Sequence, residues 1–87
     1  MKPEDLSVWL ESLIKGLVLY PNEVFVMVKD PDEQGTLFTV KVAEHDLGRV
    51  IGKEGNNARK IREILTLAGL HHGIRAYLKI EEPEKEK

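Results

Sequence analysis

Asp46-Leu47-Gly48-Arg49-Val50-Ile51-Gly52-Lys53-Glu54-Gly55-Asn56-Asn57-Ala58-Arg59-Lys60-Ile61-Arg62 is the stretch that decides the fold. Asp46 to Ile51 reads as a short helix with Asp46 at or near its cap. It stops at Gly52. A second helix opens around Asn56-Asn57, both good capping residues, and runs to about Ala68. Its inward residues are Ala58, Ile61, Ile64, Leu65 and Ala68, while Arg59, Lys60, Arg62 and Glu63 point elsewhere. A plain turn between two helices needs one glycine, and here there are two, spaced Gly-x-x-Gly. Gly52 permits a sharp exit from the first helix, because glycine accepts positive φ without steric cost. Gly55 removes a side chain where the second helix begins. Bare backbone next to a helix N-terminus, with free N–H groups and partial positive charge, suits a phosphate. Lys53 adds a mobile cation at the tip, and no Cβ obstructs a passing phosphodiester chain.

Working outward, Val24 to Lys29 is a β-branched and aromatic run and reads as a strand. Asp30-Pro31-Asp32-Glu33-Gln34-Gly35 is a turn cluster. Thr36 to Val42 alternates Phe38, Val40 and Val42 against Leu37, Thr39 and Lys41, and reads as the hairpin partner. The connection is too long for a two-residue turn, so the register stays open. Before these strands, Leu6, Trp9, Leu10, Leu13, Ile14 and Leu17 fall on one face of an amphipathic helix. Pro3 suits its first turn, Glu4 and Asp5 face the positive end of its dipole, and Pro21-Asn22 terminates the element. Trp9 lies on the apolar stripe and is expected in the core. After the second loop helix, Gly69 and His71-His72-Gly73 break the pattern. Ile74, Ala76, Leu78 and Ile80 then alternate with Arg75, Tyr77 and Lys79 in a last strand. The order is α-β-β-α-α-β. That predicts an α+β fold, a two-layer sandwich with a three-stranded sheet and three helices on one face. Residues 1–80 form a single domain in this reading, and 81–87 a charged, disordered tail.

Bulk properties narrow the classes. The chain has 87 residues, enough for one small domain, and no cysteine, which excludes disulfides and thiolate metal sites. No apolar stretch approaches the roughly 20 residues of a membrane span, and the acidic N-terminus lacks a signal-peptide core. A soluble, cytoplasmic protein without a membrane partner is expected. Net charge is −2, yet it is unevenly spread. Residues 1–40 carry three lysines against seven acids, whereas 41–62 carry six bases against three acids. The basic surplus therefore coincides with the glycine loop and its helices. It is small beside that of a dedicated DNA binder.

The segment Asp46 to Gly55 resembles the signature of KH domains, in which Val-Ile-Gly-x-x-Gly is central. The element order is similar to the type II, prokaryotic arrangement. Length and the stretch through Arg62 resemble the small bacterial KH proteins of the KhpA family, over most of residues 1–80. The resemblance implies single-stranded RNA as ligand, with the loop clamping the backbone of about four nucleotides. On matching positions, Leu47, Gly48 and Arg49 would line one side of a groove. Gly52, Lys53, Glu54 and Gly55 would hold the sugar–phosphate chain, and Arg62 would reach a phosphate or base edge. Val50 and Ile51 look like core support. The strand Thr36 to Val42 would form the opposite wall. Two departures matter. Glu54 puts a negative charge in the clamp, and Asn56 follows Gly55 where relatives often carry arginine. Weak, sequence-tolerant binding is the expectation.

The family also implies self-association and pairing with a larger KH-domain protein of the KhpB/Jag type. The chain therefore reads as a post-transcriptional regulator or RNA chaperone, or alternatively as an interaction module acting through a homodimer or that partner. Ile61 or Ile64 meeting its copy across a two-fold axis is one hypothesis, and full burial of both is the other. No nucleophile stands in a motif with a base, and an enzyme is not expected. No cofactor is called for. His45, His71 and His72 do not supply a convincing metal set, since adjacent helical residues diverge. One Trp, two Tyr and two Phe offer no row of stacking platforms.

Overall fold

Pro3 opens α1 (Pro3–Lys15), where its missing N–H leaves no helical acceptor unsatisfied. The Lys2 N–H donates to Asp5 Oδ2 at 3.1 Å, closing the first turn. In this computed structural model, which describes residues 2–82, α1 is followed by a 3₁₀ turn at Pro21–Glu23 and the strands β1 (Phe25–Val28) and β2 (Thr36–Lys41). Then come α2 (Glu44–Ile51), a 3₁₀ turn at Lys53–Gly55, α3 (Asn56–His71) and β3 (Ala76–Ile80). The α-β-β-α-α-β order and the α+β class read from the sequence are those observed.

The sheet has the order β1-β2-β3, with β2 in the centre. β1 runs antiparallel to β2, pairing Phe25 with Lys41 and Val28 with Phe38. β3 runs parallel to β2, pairing Thr36 with Ala76 and Val40 with Ile80. A parallel pair needs a crossover connection, and α2 and α3 supply it. In the turn between β1 and β2, Asp32 Oδ1 accepts the N–H groups of Gln34 and Gly35. That side-chain turn fixes the register which the sequence left open.

All three helices cover one sheet face. Leu6, Leu10 and Ile14 of α1 and Leu65 of α3 are at most 1% exposed, as are Phe38 and Val40 of β2 and Val50 of α2. Each such side chain contributes about 1.5–3 kcal/mol of burial. Trp9 and Leu13 pack half-buried against this cluster.

Several expectations need correction. Helix α1 ends at Lys15, so Leu17 falls beyond the stripe and is exposed. Helix α2 begins at Glu44 with Ala43 in the cap position, and Asp46 does not cap it. Helix α3 runs to His71, beyond Ala68. Gly69 lies buried inside it because β3 passes so close that a Cβ there would sit 2.4 Å from the Ile74 carbonyl oxygen. The true terminator is Gly73 at φ 69°, with the Ile74 N–H bonded to the Gly69 carbonyl and the Gly73 N–H to that of Leu70. Ile64, expected inward, is exposed. Helix α3 rolls toward α1 and β3 on its Ala58–Ile61–Leu65–Gly69 line, which leaves Ile64 on the flank. The Glu81 N–H donates to the Val40 carbonyl, so the ladder continues one residue into the stretch read as tail. The remainder of that reading, 83–87, lies outside the described residues.

Candidate nucleic-acid interface

The joint between α2 and α3 is built on backbone that side chains rarely tolerate. Gly52 sits at φ 76° and ψ 172°. A Cβ there would fall 2.6–2.8 Å from Asn57 atoms, so glycine is required twice over. Gly55 takes the left-handed conformation, φ 76° and ψ 13°, with open space where a Cβ would be. Between them Glu54 has φ 57°, the one positive value outside glycine among the described residues. Left-handed backbone costs a residue of this type about 1–2 kcal/mol, so the loop tip is a mildly strained turn.

Asn57 shows what holds the joint. Its side-chain amide donates to the Arg49 carbonyl at 2.8 Å, satisfying a carbonyl at the end of α2 from the first turn of α3. The sequence assigned Asn56 and Asn57 as caps of their own helix, but Gly55 occupies the cap position and neither side chain caps it. Asn57 instead ties the two helices together. Asn56 accepts a bond from Arg59 at 3.2 Å.

The residues singled out by sequence fall as follows. Gly48, Arg49, Lys53, Glu54 and Arg62 are exposed, while Leu47, Gly52 and Gly55 are half-buried. Val50 is fully buried and Ile51 half-buried, which fits a supporting role. Gly48 has nothing within 4 Å of a Cβ position, so the α2 surface is bare there. The loop and the start of α3 thus combine an uncrowded backbone, a helix N-terminus and the cations Lys53, Arg59, Lys60 and Arg62, opposed locally by Glu54 and Glu63.

Two features escaped the sequence reading. Asp46 is 0% exposed, and its carboxylate accepts the N–H groups of Leu19 and Tyr20, both at 3.0 Å. It anchors the α1–β1 connection to α2, with Arg49 Nε 3.7 Å away. The second concerns the wall beside Arg62. A cavity of about 310 Å³ runs there between Arg62, Thr66 and Leu70 of α3 and Ile74, Arg75 and Tyr77 at β3. This cavity is lined by β3; the Thr36–Val42 strand, expected as the opposite wall of a groove, is the central strand β2 and does not line it. Alternation names the faces of a strand but not its place in the sheet.

His45 lies tilted against Tyr20, ring centroids 6.1 Å apart. Among the described residues no three His, Cys, Asp or Glu side chains gather as a metal site. None of the helices described is long and apolar enough to cross a membrane.

Three helices on one face of a mixed three-stranded sheet, with a Gly-x-x-Gly joint between the second and third, define a type II KH domain. Residues 8–80 match the family described as KhpA/KhpB, KH domain, and the chain belongs to that family. It is 38% identical over 71 residues to the RNA-binding protein KhpA of Clostridium acetobutylicum, covering 82% of this chain and 93% of that one. It is 35% identical over 71 residues to the RNA-binding protein KhpA of Oceanobacillus iheyensis, with the same coverage. A crystal structure of Aquifex aeolicus Era bound to GDP and AlF4⁻ superposes with a TM-score of 0.60 at 17% identity. That match covers 92% of this chain and 31% of the other, and it shows the fold alone.

Proposed function

We propose that this chain is a cytoplasmic single-stranded RNA-binding protein, without catalytic activity, that clamps about four nucleotides of backbone at Gly52–Gly55. The observation that carries the reading is the loop itself. Two glycines at positive φ keep side chains away from the N-terminus of α3, and Lys53 stands at the tip. Gly52, Lys53, Glu54 and Gly55 hold the sugar–phosphate chain. Leu47, Gly48 and Arg49 form one side of the groove, and Arg62 reaches a phosphate or base from α3. The naming of relatives as RNA-binding proteins supports the ligand class. A role as post-transcriptional regulator or RNA chaperone follows from weak, sequence-tolerant contact.

Titration with total RNA at several salt concentrations tests it. Few cations reach the strand and Glu54 opposes them, so the slope of log affinity against log salt should correspond to roughly two to three phosphates. No measurable binding at low salt would end the reading. A slope several times steeper would place the contacts outside the loop.

A second reading, self-association, is favoured by an apolar groove between α1 and α3. Its cavity of about 200 Å³ is bordered by Leu13, Leu17, Ile61 and Ile64. Ile64 and Leu67 are 43% and 58% exposed on that flank, whereas Ile61 is 4% exposed. A homodimer would bury the flank, and two RNA grooves in one particle would gain through effective concentration. A larger KH partner of the KhpB type would use the same flank. The two isoleucines separate the cases. Ile64→Glu should give a folded monomer, while Ile61→Glu buries an unpaired charge and should unfold the domain. Sedimentation and circular dichroism read both. Wild-type protein that sediments as a monomer at high concentration would eliminate the homodimer.

A further inference from the structure

With all three helices on one side, no described residue covers the other face of the sheet. Phe25 and Met27 of β1 and Tyr77 of β3 point outward there, 56%, 50% and 40% exposed. The register fixes how they are set among cations. Phe25 lies opposite Lys41. Met27 lies opposite Thr39, which pairs on its other side with Lys79. Leu37 lies between Tyr77 and Lys29, whose N–H bonds to the Leu37 carbonyl. Each large apolar side chain therefore has a lysine in or beside its row. Glu81 shares the face by alternation, and the exposed Asp32, bridged to Gly35 beside the Tyr77 ring, lies at its end. The ion pairs among the described residues are Lys15–Glu11 and Arg49–Asp46, neither of which uses these lysines.

Tyr77 packs beside the β1–β2 turn. Its ring lies over Gly35, where a Cβ would come within 2.9 Å of Cε2. Phe25 and Tyr77 stand two strands and four residues apart, roughly 16 Å. Exposed rings interleaved with lysines on an open sheet suit stacked bases and their phosphates. They do not suit a second copy, which would set lysines against lysines. A protein-binding patch would instead keep charge at its rim. The face also borders the α3 flank that carries Arg62. The cavity beside Arg62 is lined along β3 by Arg75, Ala76, Tyr77 and Leu78.

We infer that the outer sheet face is a second RNA contact, reached round the β3 edge by a strand longer than the loop can hold. Phe25 and Tyr77 stack on bases, and Lys29, Lys41 and Lys79 meet phosphates. The inference rests on the RNA-binding reading above. The full chain is titrated with an oligouridylate of about five nucleotides and one of about fifteen, the shorter chosen to fill a four-nucleotide clamp. Lys41→Glu/Lys79→Glu and, separately, Phe25→Ser are compared with a loop variant, folding being checked by circular dichroism.

The face variants should weaken binding of the longer RNA roughly tenfold and leave the shorter unchanged, as loss of a stacked base or two phosphates would. The loop variant should weaken both. Face variants with unaltered affinity for the longer RNA overturn the inference while the clamp survives, and a change in sedimentation alone would make the face a protein contact. Equal losses on both lengths also overturn it, since the face would then not be a separate contact. Wild-type protein that binds neither length would remove the RNA reading and this inference together.

Discussion

Replacing Lys53 and Glu54 together by aspartate is expected to abolish RNA binding and leave the domain as stable as before, or slightly more so. Both side chains are exposed on the 3₁₀ turn and make no hydrogen bond to the rest of the fold among the described residues. The position at φ 57° suits aspartate at least as well as glutamate, since Asp is enriched in left-handed backbone. Two carboxylates before α3 also interact favourably with its dipole, by about 0.3–1 kcal/mol each. For RNA the sign reverses. The variant removes the tip cation and adds a second anion where a phosphate must lie. Each such charge interaction at about 4 Å is worth about 1–4 kcal/mol between bulk-water and protein-surface dielectrics. For a weak binder the sum moves affinity beyond measurement. Fluorescence anisotropy with labelled RNA and a urea melt of the same sample read the two quantities. A folded double variant with wild-type affinity would refute the clamp.

The joint was legible in the sequence because its information is local. Two glycines three residues apart, flanked by helical periodicity, demand unusual backbone whatever the rest of the chain does. The stripe Leu6–Leu10–Ile14 was legible for the same reason, as was the grouping of Phe38 with Val40 on one side of their strand. What failed depended on partners distant in sequence. Asp46 looks like a cap when only its neighbours are considered, yet its acceptors face N–H groups 26 and 27 residues earlier. Asn57 looks like a cap for its own helix, yet it reaches back eight residues to Arg49. Ile64 continues an apolar stripe that is wider than the surface α3 covers. That β3 lies beside Arg62 was not legible, because alternation in 36–42 and 74–80 is equally good, and only the strand order puts β3 at the edge beside α3.

Asp46 carries the other large expected effect, on stability. Its carboxylate is withdrawn from water, which is unfavourable unless both oxygens are satisfied. They are: Oδ1 accepts from Leu19 and Oδ2 from Tyr20, so one side chain pins the α1–β1 connection at two consecutive residues. Arg49 adds little, being half-exposed at 3.7 Å and screened by solvent. Asp46→Ala removes both acceptors and opens a gap under the connection. Bonds to a charged group contribute about 1.5–3 kcal/mol each, and partial hydration of the freed N–H groups returns some of this, so a net loss of about 3 kcal/mol is expected. Asp46→Asn is the sharper test. It keeps the shape, but one carboxylate oxygen becomes an NH₂ that must face a backbone N–H, donor against donor. Asparagine should therefore be nearly as damaging as alanine, whereas a merely space-filling role for Asp46 would leave it close to wild type. A domain of this size changes stability by about 1 kcal/mol per molar urea, so either variant should shift the unfolding midpoint by well over about 1 M. If asparagine unfolds with the wild-type midpoint, the carboxylate is not what ties the connection to α2.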